Sequence, residues 1–452
     1  MLSSGYAQET SAALTSPFTK GDVGILSGVT SANSPWTPFG KGGSNITTLY
    51  GKAGLEKALM YPRVILGRGR ERRQYQGHPW VYDGEIASLT GQPSDGAVVD
   101  CYSHDGAFLG RGYFNSRSKI RVRILTRQVD EDVDEALLCR RLTWALERRQ
   151  RLYPLTTSLR LVHAEGDGLP GLTVDRYENT LVLQCAALGM DLRLDMLARL
   201  LRELTGLEQI YLRNDLSVRR NDGLELSHGF CDVPFSTVMP IQEYGLTFEV
   251  DLAGGHKTGF YLDQTDNHLA LHTLVPAGGT VLDAFCYTGA FSVHAAAAGA
   301  GEILGLDSST AVLEVARQNA VRNGFGERCR FEAGNVFDRL RQLQGSSQLF
   351  DLIILDPPSF THSRTALAKA LSGYKEINLR ALKLLRPGGV LVTFTCSYYV
   401  ERARFESMVQ EAASDARRQL TVRQRLSQAL HHPEVLAIPE TAYLKGLAVE
   451  VW

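Results

Sequence analysis

Cys396 sits in an unusual place for a thiol. The apolar run Leu391, Val392, Thr393 and Phe394 leads into Thr395, Cys396 and Ser397, and then into Tyr398 and Tyr399. Taken alone, a cysteine at the end of a strand-like run is inert packing. Other polar residues occupy the same position, each just after an apolar run. Asp283 follows "TVL", Asp307 follows "ILGL", Asn335 follows "CRFEAG", and Asp356 follows "DLIIL". A thiol is a nucleophile, and a carboxyl beside it can hydrogen-bond a substrate as charge moves. Cys396 and Asp356 are therefore the candidate catalytic residues.

The remaining polar residues have binding chemistry. Asp307 comes about twenty residues after Asp283, a spacing at which a carboxylate can accept both hydroxyls of a ribose. Gly289, in "DAFCYTGAF", lets backbone approach a ligand closely beside a helix N-terminus. The turn lacks G-x-G-x-x-G, so a pyrophosphate has no cradle. A nucleoside cofactor without phosphates suits it better, namely S-adenosylmethionine, with Asn335 able to hydrogen-bond the adenine edge. "DPPSF" (Asp356–Phe360) adds two prolines that stiffen the chain where a planar base would be clamped. Cys286, in the first-strand turn, faces the cofactor side and reads as packing.

The elements that must position these groups follow from rhythm and composition. The chain has 452 residues, 44% hydrophobic and 21% charged, with net charge −1, which points to two or three domains of a soluble protein. No run of ~18 apolar residues marks a membrane span. Seven scattered cysteines, never spaced C-x-x-C, argue for a reducing cytoplasm and against a disulfide framework or a metal site. From Thr280, strand-like runs alternate with helical ones, which predicts a parallel sheet covered on both faces, with ligands beyond the strands' carboxyl ends.

Four segments emerge. Residues 1–59 are rich in Ser, Thr, Gly and Ala and aperiodic, and are expected to be a disordered extension or an upstream misread before Met60. Residues 60–130 read as a small β domain. In "KIRVRIL", apolar Ile120, Val122 and Ile124 alternate with Arg121 and Arg123, predicting a cationic face. Arg63, Arg68, Arg70, Arg72, Arg73, Arg111, Arg117, Lys119 and Arg127 add to it, a density that attracts phosphate backbones. Residues 131–252 read as a helix, about Glu135–Leu152, followed by an α+β region. Residues 253–452 are the catalytic domain.

These motifs resemble a known series. Asp283–Ser292, Asp307, Asn335, "DPPSF" and "TCS" are similar to class I S-adenosylmethionine-dependent methyltransferase motifs. "GRERRQYQGHPWVYDGEI", "EGDGLPGLTVDRY", "HKTGFYLDQTDN", "GYKEINLRALKLL" and "HHPEVLAIPETAYLKGLAVEVW" resemble the bacterial RlmI-type family, which methylates cytosine C5 in large-subunit (23S) rRNA. The resemblance spans about residues 60–452. It implies a multidomain α/β chain: an N-terminal PUA-like RNA-binding β domain, an α+β connector, and a C-terminal Rossmann-like, mainly parallel methyltransferase sheet. It also implies cofactor contacts from Lys257, Gln264, Asp283, Phe285, Tyr287, Gly289, Asp307, Asn335 and Asp356. RNA contacts are expected from Arg68, Arg70, Arg72, Arg73, His78, Trp80, Arg121, Arg123, Phe360 and Tyr398. Metal and membrane are not expected, and a homodimer is left open.

The thiol then has a purpose. Cytosine C5 is too weak a nucleophile for a sulfonium methyl, and a thiolate added at C6 makes it enamine-like. Asp356 would hydrogen-bond N3 and the exocyclic amine. A helix beginning near Val400 would lower the thiol pKa. Ser359 stands where DNA cytosine-C5 enzymes carry their cysteine, so Cys396 is the thiol expected to act, and the role of residue 359 is open. Three rivals remain: an N-methyltransferase needing no thiol, a non-catalytic RNA-binding or ribosome-assembly protein, and a small-molecule methyltransferase.

Overall fold

The computed structural model describes residues 61–452 except 347, 362 and 364. The expectation for residues 1–59 lies outside the described residues. Strands β1 (Arg63–Leu66), β2 (Trp80–Tyr82), β3 (Ile86–Leu89), β4 (Val98–Tyr102), β5 (Phe108–Phe114) and β6 (Ile120–Thr126) form one sheet in the order β2-β6-β5-β4-β1-β3. Alternation turns Val122 and Ile124 of β6 into a core with Val64, Leu66, Val99 and Leu109.

The cationic face expected here is a correction. Arg123 forks onto Asp222 at 2.8 and 3.1 Å, and Arg121 meets Asp83 at 2.7 Å. Arg111 is buried against Asp100, and the Arg127 guanidinium donates to the carbonyls of Gln74, Leu109 and His78. These arginines brace the fold rather than offer charge to solvent. Arg68, Arg70 and Arg72 are exposed.

Helix α1 (Glu135–Leu152) starts where Asp134 accepts the Leu137 amide, an N-cap that satisfies an orphan donor. Strands β7 (Ser158–His163), β8 (Leu172–Tyr177), β9 (Thr180–Cys185), β10 (Gln209–Asn214) and β11 (Ser227–Phe230) follow, in the order β11-β10-β9-β8-β7, with α2 (Leu194–Thr205) between β9 and β10. The hairpin β12 (Val238–Glu243) and β13 (Leu246–Asp251) turns Ile241, Phe248 and Val250 into the core of the catalytic sheet. That core therefore reaches back past residue 253.

The catalytic sheet contains β14 (Thr280–Ala284), β15 (Glu302–Asp307), β16 (Cys329–Ala333), β17 (Phe350–Leu355), β18 (Leu385–Thr395), β19 (Leu420–Ser427) and β20 (Lys445–Val451). Their order is β16-β15-β14-β17-β18-β20-β19. The first five are parallel, and β20 runs antiparallel between β18 and β19. Chain order reverses at β14, next to β17, which is the crevice where such sheets bind ligands. Helices α3 (Ala290–Ala297), α4 (Thr310–Arg322), α5 (Val336–Gln344), α6 (Leu367–Leu384) and α7 (Arg402–Ala416) cover two separate apolar cores, one on each face. No helix among the described residues is long and apolar enough to cross a membrane.

Candidate active site

Strand parity assembles the site. Successive strand residues point to opposite faces. Val281 of β14, Leu352 and Ile354 of β17, and Val392 and Phe394 of β18 all lie in the core beneath the β12–β13 hairpin. Leu282, Ile353, Leu355 and Leu391 lie in the other. Two residues beyond these inward positions come Asp283, Asp356 and Cys396, so all three leave the sheet on one face. Leu355 is opposite Thr393 in register, which sets Cys396 two residues above Asp356 on the adjacent strand.

The first-strand turn is strained toward this crevice. Phe285 (φ 69°), Tyr287 (φ 49°) and Gly289 (φ 80°) are left-handed, a cost that clusters at binding sites. The Phe285 and Cys286 amides both donate to the Leu306 carbonyl. Asp307 accepts the Tyr287 amide on one oxygen and the Ser309 amide on the other, so it ties the first and second turns together. Tyr287 stacks on His256 at 4.9 Å, and its hydroxyl accepts the His256 amide. Asp283 accepts Ser292 Oγ at 2.6 Å, and its other oxygen is buried with no partner. Burial pushes its pKa up to about 6.

Beside it, Asp356 is driven to about 7, first by burial and then by the charge of Asp263. Gln264 hydrogen-bonds it, with the Gln264 oxygen itself engaged by Asn267 Nδ2 at 2.6 Å. Lys257 donates to Asp263 at 2.5 Å over the Tyr261 ring, and Tyr443 Oη donates to the same oxygen at 2.8 Å. Burial would raise the Asp263 pKa, but Lys257 and Tyr443 hold it low. Cys396 is pushed up to about 11 by burial and by Asp356. This corrects the expected depression: burial and Asp356 raise the thiol, and the helix, which starts at Arg402, does not reverse them.

Other expected residues lie elsewhere. Asn335 is exposed, and its oxygen caps α5 through the Phe337 and Asp338 amides. Phe360 is half-buried, packed on Tyr374 at 4.4 Å and on Phe337. His78 Nε2 lies 3.1 Å from Glu440, and Trp80 Nε1 donates to Glu165, so both dock the β domain onto later segments. Arg73 pairs with Glu85 over the Tyr82 ring. Tyr398 is 50% exposed. Ser359 meets Ser397 Oγ at 2.8 Å, and Tyr374 Oη meets the same oxygen at 2.9 Å. Residue 359 thus braces the back of the strand ends and does not face the sulfur.

Sequence reasoning missed several groups. Tyr261 and Asp263 lie in the Lys257–Gln264 stretch expected at the cofactor but carried no role of their own, and Tyr443 joins the site from a segment with no assigned role. Lys445, the first residue of β20, is opposite Thr395 and donates to the carbonyls of Ser397 and Tyr443, each at 3.0 Å. Glu243 Oε1 lies 2.6 Å from His268 Nδ1 and 3.0 Å from His294 Nε2, all three buried. They form a group of metal-ligand type whose members already satisfy one another with hydrogen bonds.

A PUA-like domain family matches residues 64–127, and an S-adenosylmethionine-dependent methyltransferase family matches residues 220–449. A ribosomal RNA large subunit methyltransferase I from Aeromonas hydrophila is 42% identical over 395 residues, 86% of this chain and 99% of that protein. The chain belongs to the ribosomal RNA large subunit methyltransferase I family. The Klebsiella pneumoniae member is 39% identical over 87% of this chain and 99% of its own length. Among solved structures, a Streptococcus mutans chain described as a SAM-dependent methyltransferase superposes with a TM-score of 0.74 at 21% identity, covering 86% of this chain and 99% of that one. The methyltransferase SMU.776, solved with SAH, gives 0.75 at the same identity and coverage. These two likenesses show the fold.

The family's cofactor is S-adenosylmethionine, and the residues fit it. A buried carboxylate oxygen of Asp283 without a partner, the half-buried Asp307 and the acid Asp356 cluster at the carboxyl ends of adjacent strands. Carboxylates accept from a ribose diol and an ammonium and attract a sulfonium, whereas they would repel a pyrophosphate. A Cβ at Gly289 would come within 3.0 Å of Ala316 and 3.2 Å of Phe331, so the turn has no room for a side chain.

Proposed function

We propose that this enzyme methylates C5 of a cytosine in large-subunit rRNA, with Cys396 as nucleophile and Asp356 as the acid facing the base. The supporting observation is that Asp356 and Cys396 leave neighbouring parallel strands on one face, at the carboxyl ends where the acids cluster. S-adenosylmethionine supplies an electrophilic methyl. Asp283 and Asp307 bind the nucleoside and methionine parts, with the Phe285–Gly289 turn closing over them. Asp356, with its raised pKa, carries a proton for a substantial share of the time near neutrality and donates it as a hydrogen bond toward N3. The Cys396 sulfur bonds to C6, and the electron pair this releases makes C5 nucleophilic. After C5 accepts the methyl it loses its proton to solvent water, and the electron pair of the C5–H bond expels the sulfur from C6, restoring the thiolate.

Residues 60–130 serve RNA capture in this reading, through the exposed Arg68, Arg70 and Arg72, and Tyr398 lies near enough to the thiol to meet the target nucleotide. Action on ribosomal RNA supports a cytoplasmic location in this reading. Bisulfite sequencing of rRNA from cells with and without the gene tests the product: one protected cytosine should vanish with the gene and return with the intact enzyme but not with Cys396→Ala. An unchanged pattern sinks the assignment. Methylation that survives Cys396→Ala moves the reaction to a base nitrogen.

A further inference from the structure

We propose that Lys445 is the counter-ion of the Cys396 thiolate, a positioning residue whose fixed charge favours the ionised sulfur. The inference rests on the reading of Cys396 as nucleophile and names the group that makes the nucleophile available.

Two lysines bear on the strand end that carries the sulfur: Lys257, whose charge lowers the thiol pKa, and Lys445, whose Nζ holds the carbonyl of the next residue, Ser397. Lys257 is already neutralised by Asp263 at 2.5 Å. Lys445 is different. It is only 7% exposed, its Nζ donates to two carbonyls at 3.0 Å, and among the described residues no carboxylate forms an ion pair with it. An ammonium has three N–H donors, so two carbonyls leave it one short, and a buried cation without an anion is costly. One of those carbonyls belongs to Ser397, the residue next to the sulfur. Leu447 and Val449 of β20 lie in the core on the face away from Cys396, and strand parity puts Lys445 there too. Its side chain reaches the strand end from behind, leaving the front of the sulfur open to substrate.

The surrounding charges isolate this role. Asp356 and Asp263 oppose ionisation from the substrate side, and Tyr261 stands there as a neutral phenol raised by burial. From behind come Arg402, together with Glu401 and Glu434, which are both exposed. Among charges acting on Lys445, that of Cys396 is the strongest. When the S–H bond breaks, the electron pair stays on sulfur and the proton leaves to solvent. Lys445 and Cys396 then sum to zero instead of leaving a lone buried charge. When sulfur bonds to C6 that neutrality is given up, and elimination from C6 restores it.

The test needs neither RNA nor methyl donor, so it fails or succeeds apart from the methylation assignment. Iodoacetamide alkylation of Cys396 is followed by peptide mass spectrometry at pH 7.5, where Lys445 carries charge. Lys445→Gln should raise the thiol pKa by about one unit and slow alkylation roughly threefold, since a more basic thiolate is scarcer but more reactive. Lys445→Arg should restore the wild-type rate. Equal rates for Gln and wild type would overturn the proposal. A second measurement covers a Gln variant that does not fold. In the native protein the rate of Cys396 alkylation should rise less than tenfold per pH unit once Lys445 loses its charge near pH 8, and a full tenfold rise per unit from pH 7 to 9.5 overturns the proposal equally.

Discussion

Replacing Asp356 by Asn should do opposite things to the sulfur and to catalysis. In the native site the acid titrates near 7 and the thiol near 11, so moving a proton from sulfur to carboxylate costs about 5 kcal/mol. Neighbouring parallel strands are ~4.8 Å apart, and a two-residue offset adds ~6.6 Å along the strand, so the groups are roughly 8 Å apart. At an effective dielectric of about 20, one charge at that distance shifts a pKa by about 1.5 units. Asp356→Asn removes it. At pH 8, where the native carboxylate is mostly ionised, the thiolate fraction should rise about thirtyfold. Lower basicity returns part of that, leaving alkylation by iodoacetamide roughly sixfold faster. Methyl transfer to rRNA should nevertheless collapse by 10² or more, because N3 has lost its acid. Mass spectrometry of the Cys396 peptide and tritium transfer from labelled methyl donor read the two arms. An Asn variant that alkylates no faster than wild type would show the sulfur outside the field of Asp356, and the shared-site reasoning would fail.

Two further outcomes concern the cofactor crevice. Asp283 is buried with a folded pKa near 6, above its unfolded value of about 4, so its ionised form destabilises the native state in full above pH 6 and progressively less as pH falls toward 4. Asp283→Asn should therefore gain up to about 3 kcal/mol in urea melts at pH 8, a gain that fades by pH 4, while calorimetry shows S-adenosylmethionine affinity lost by at least tenfold. Stability unchanged at pH 8 would count against the buried, unpartnered oxygen. At Gly289, a methyl meets Ala316 and Phe331 on a left-handed backbone, so Gly289→Ala should cost about 1–3 kcal/mol and lower cofactor affinity in the same titration.

Local patterns carried much of the architecture. The span of α1 follows from its capping Asp134 and the arginine-studded apolar period after it. Asp283, Asp307, Asp356 and Cys396 were legible because a parallel strand advertises its carboxyl end as the first polar residue after an apolar run, and parity then fixes the face. The β domain misled because its partners are remote in sequence. Arg123 finds Asp222, Trp80 finds Glu165 and His78 finds Glu440, so charge density alone overstated the free cationic surface. Asn335 was placed at the right strand end, but the helix that follows uses its oxygen. Lys445 was invisible for another reason: it opens an antiparallel strand inserted beside β18, and nothing local to "AYLKG" says which strand it will join.

The hydroxyl cluster on the rear face has a consequence for how the chemistry is held. Ser397, directly after Cys396, is hydrogen-bonded to Ser359, three residues past Asp356, and Ser397 in turn meets the Tyr374 hydroxyl on α6, which also accepts the Phe360 amide. The segments that carry Asp356 and Cys396 are thus fastened together by hydroxyls behind them. In the proposed reaction, the alignment of Asp356 with Cys396 would therefore be set from the far side of the sheet.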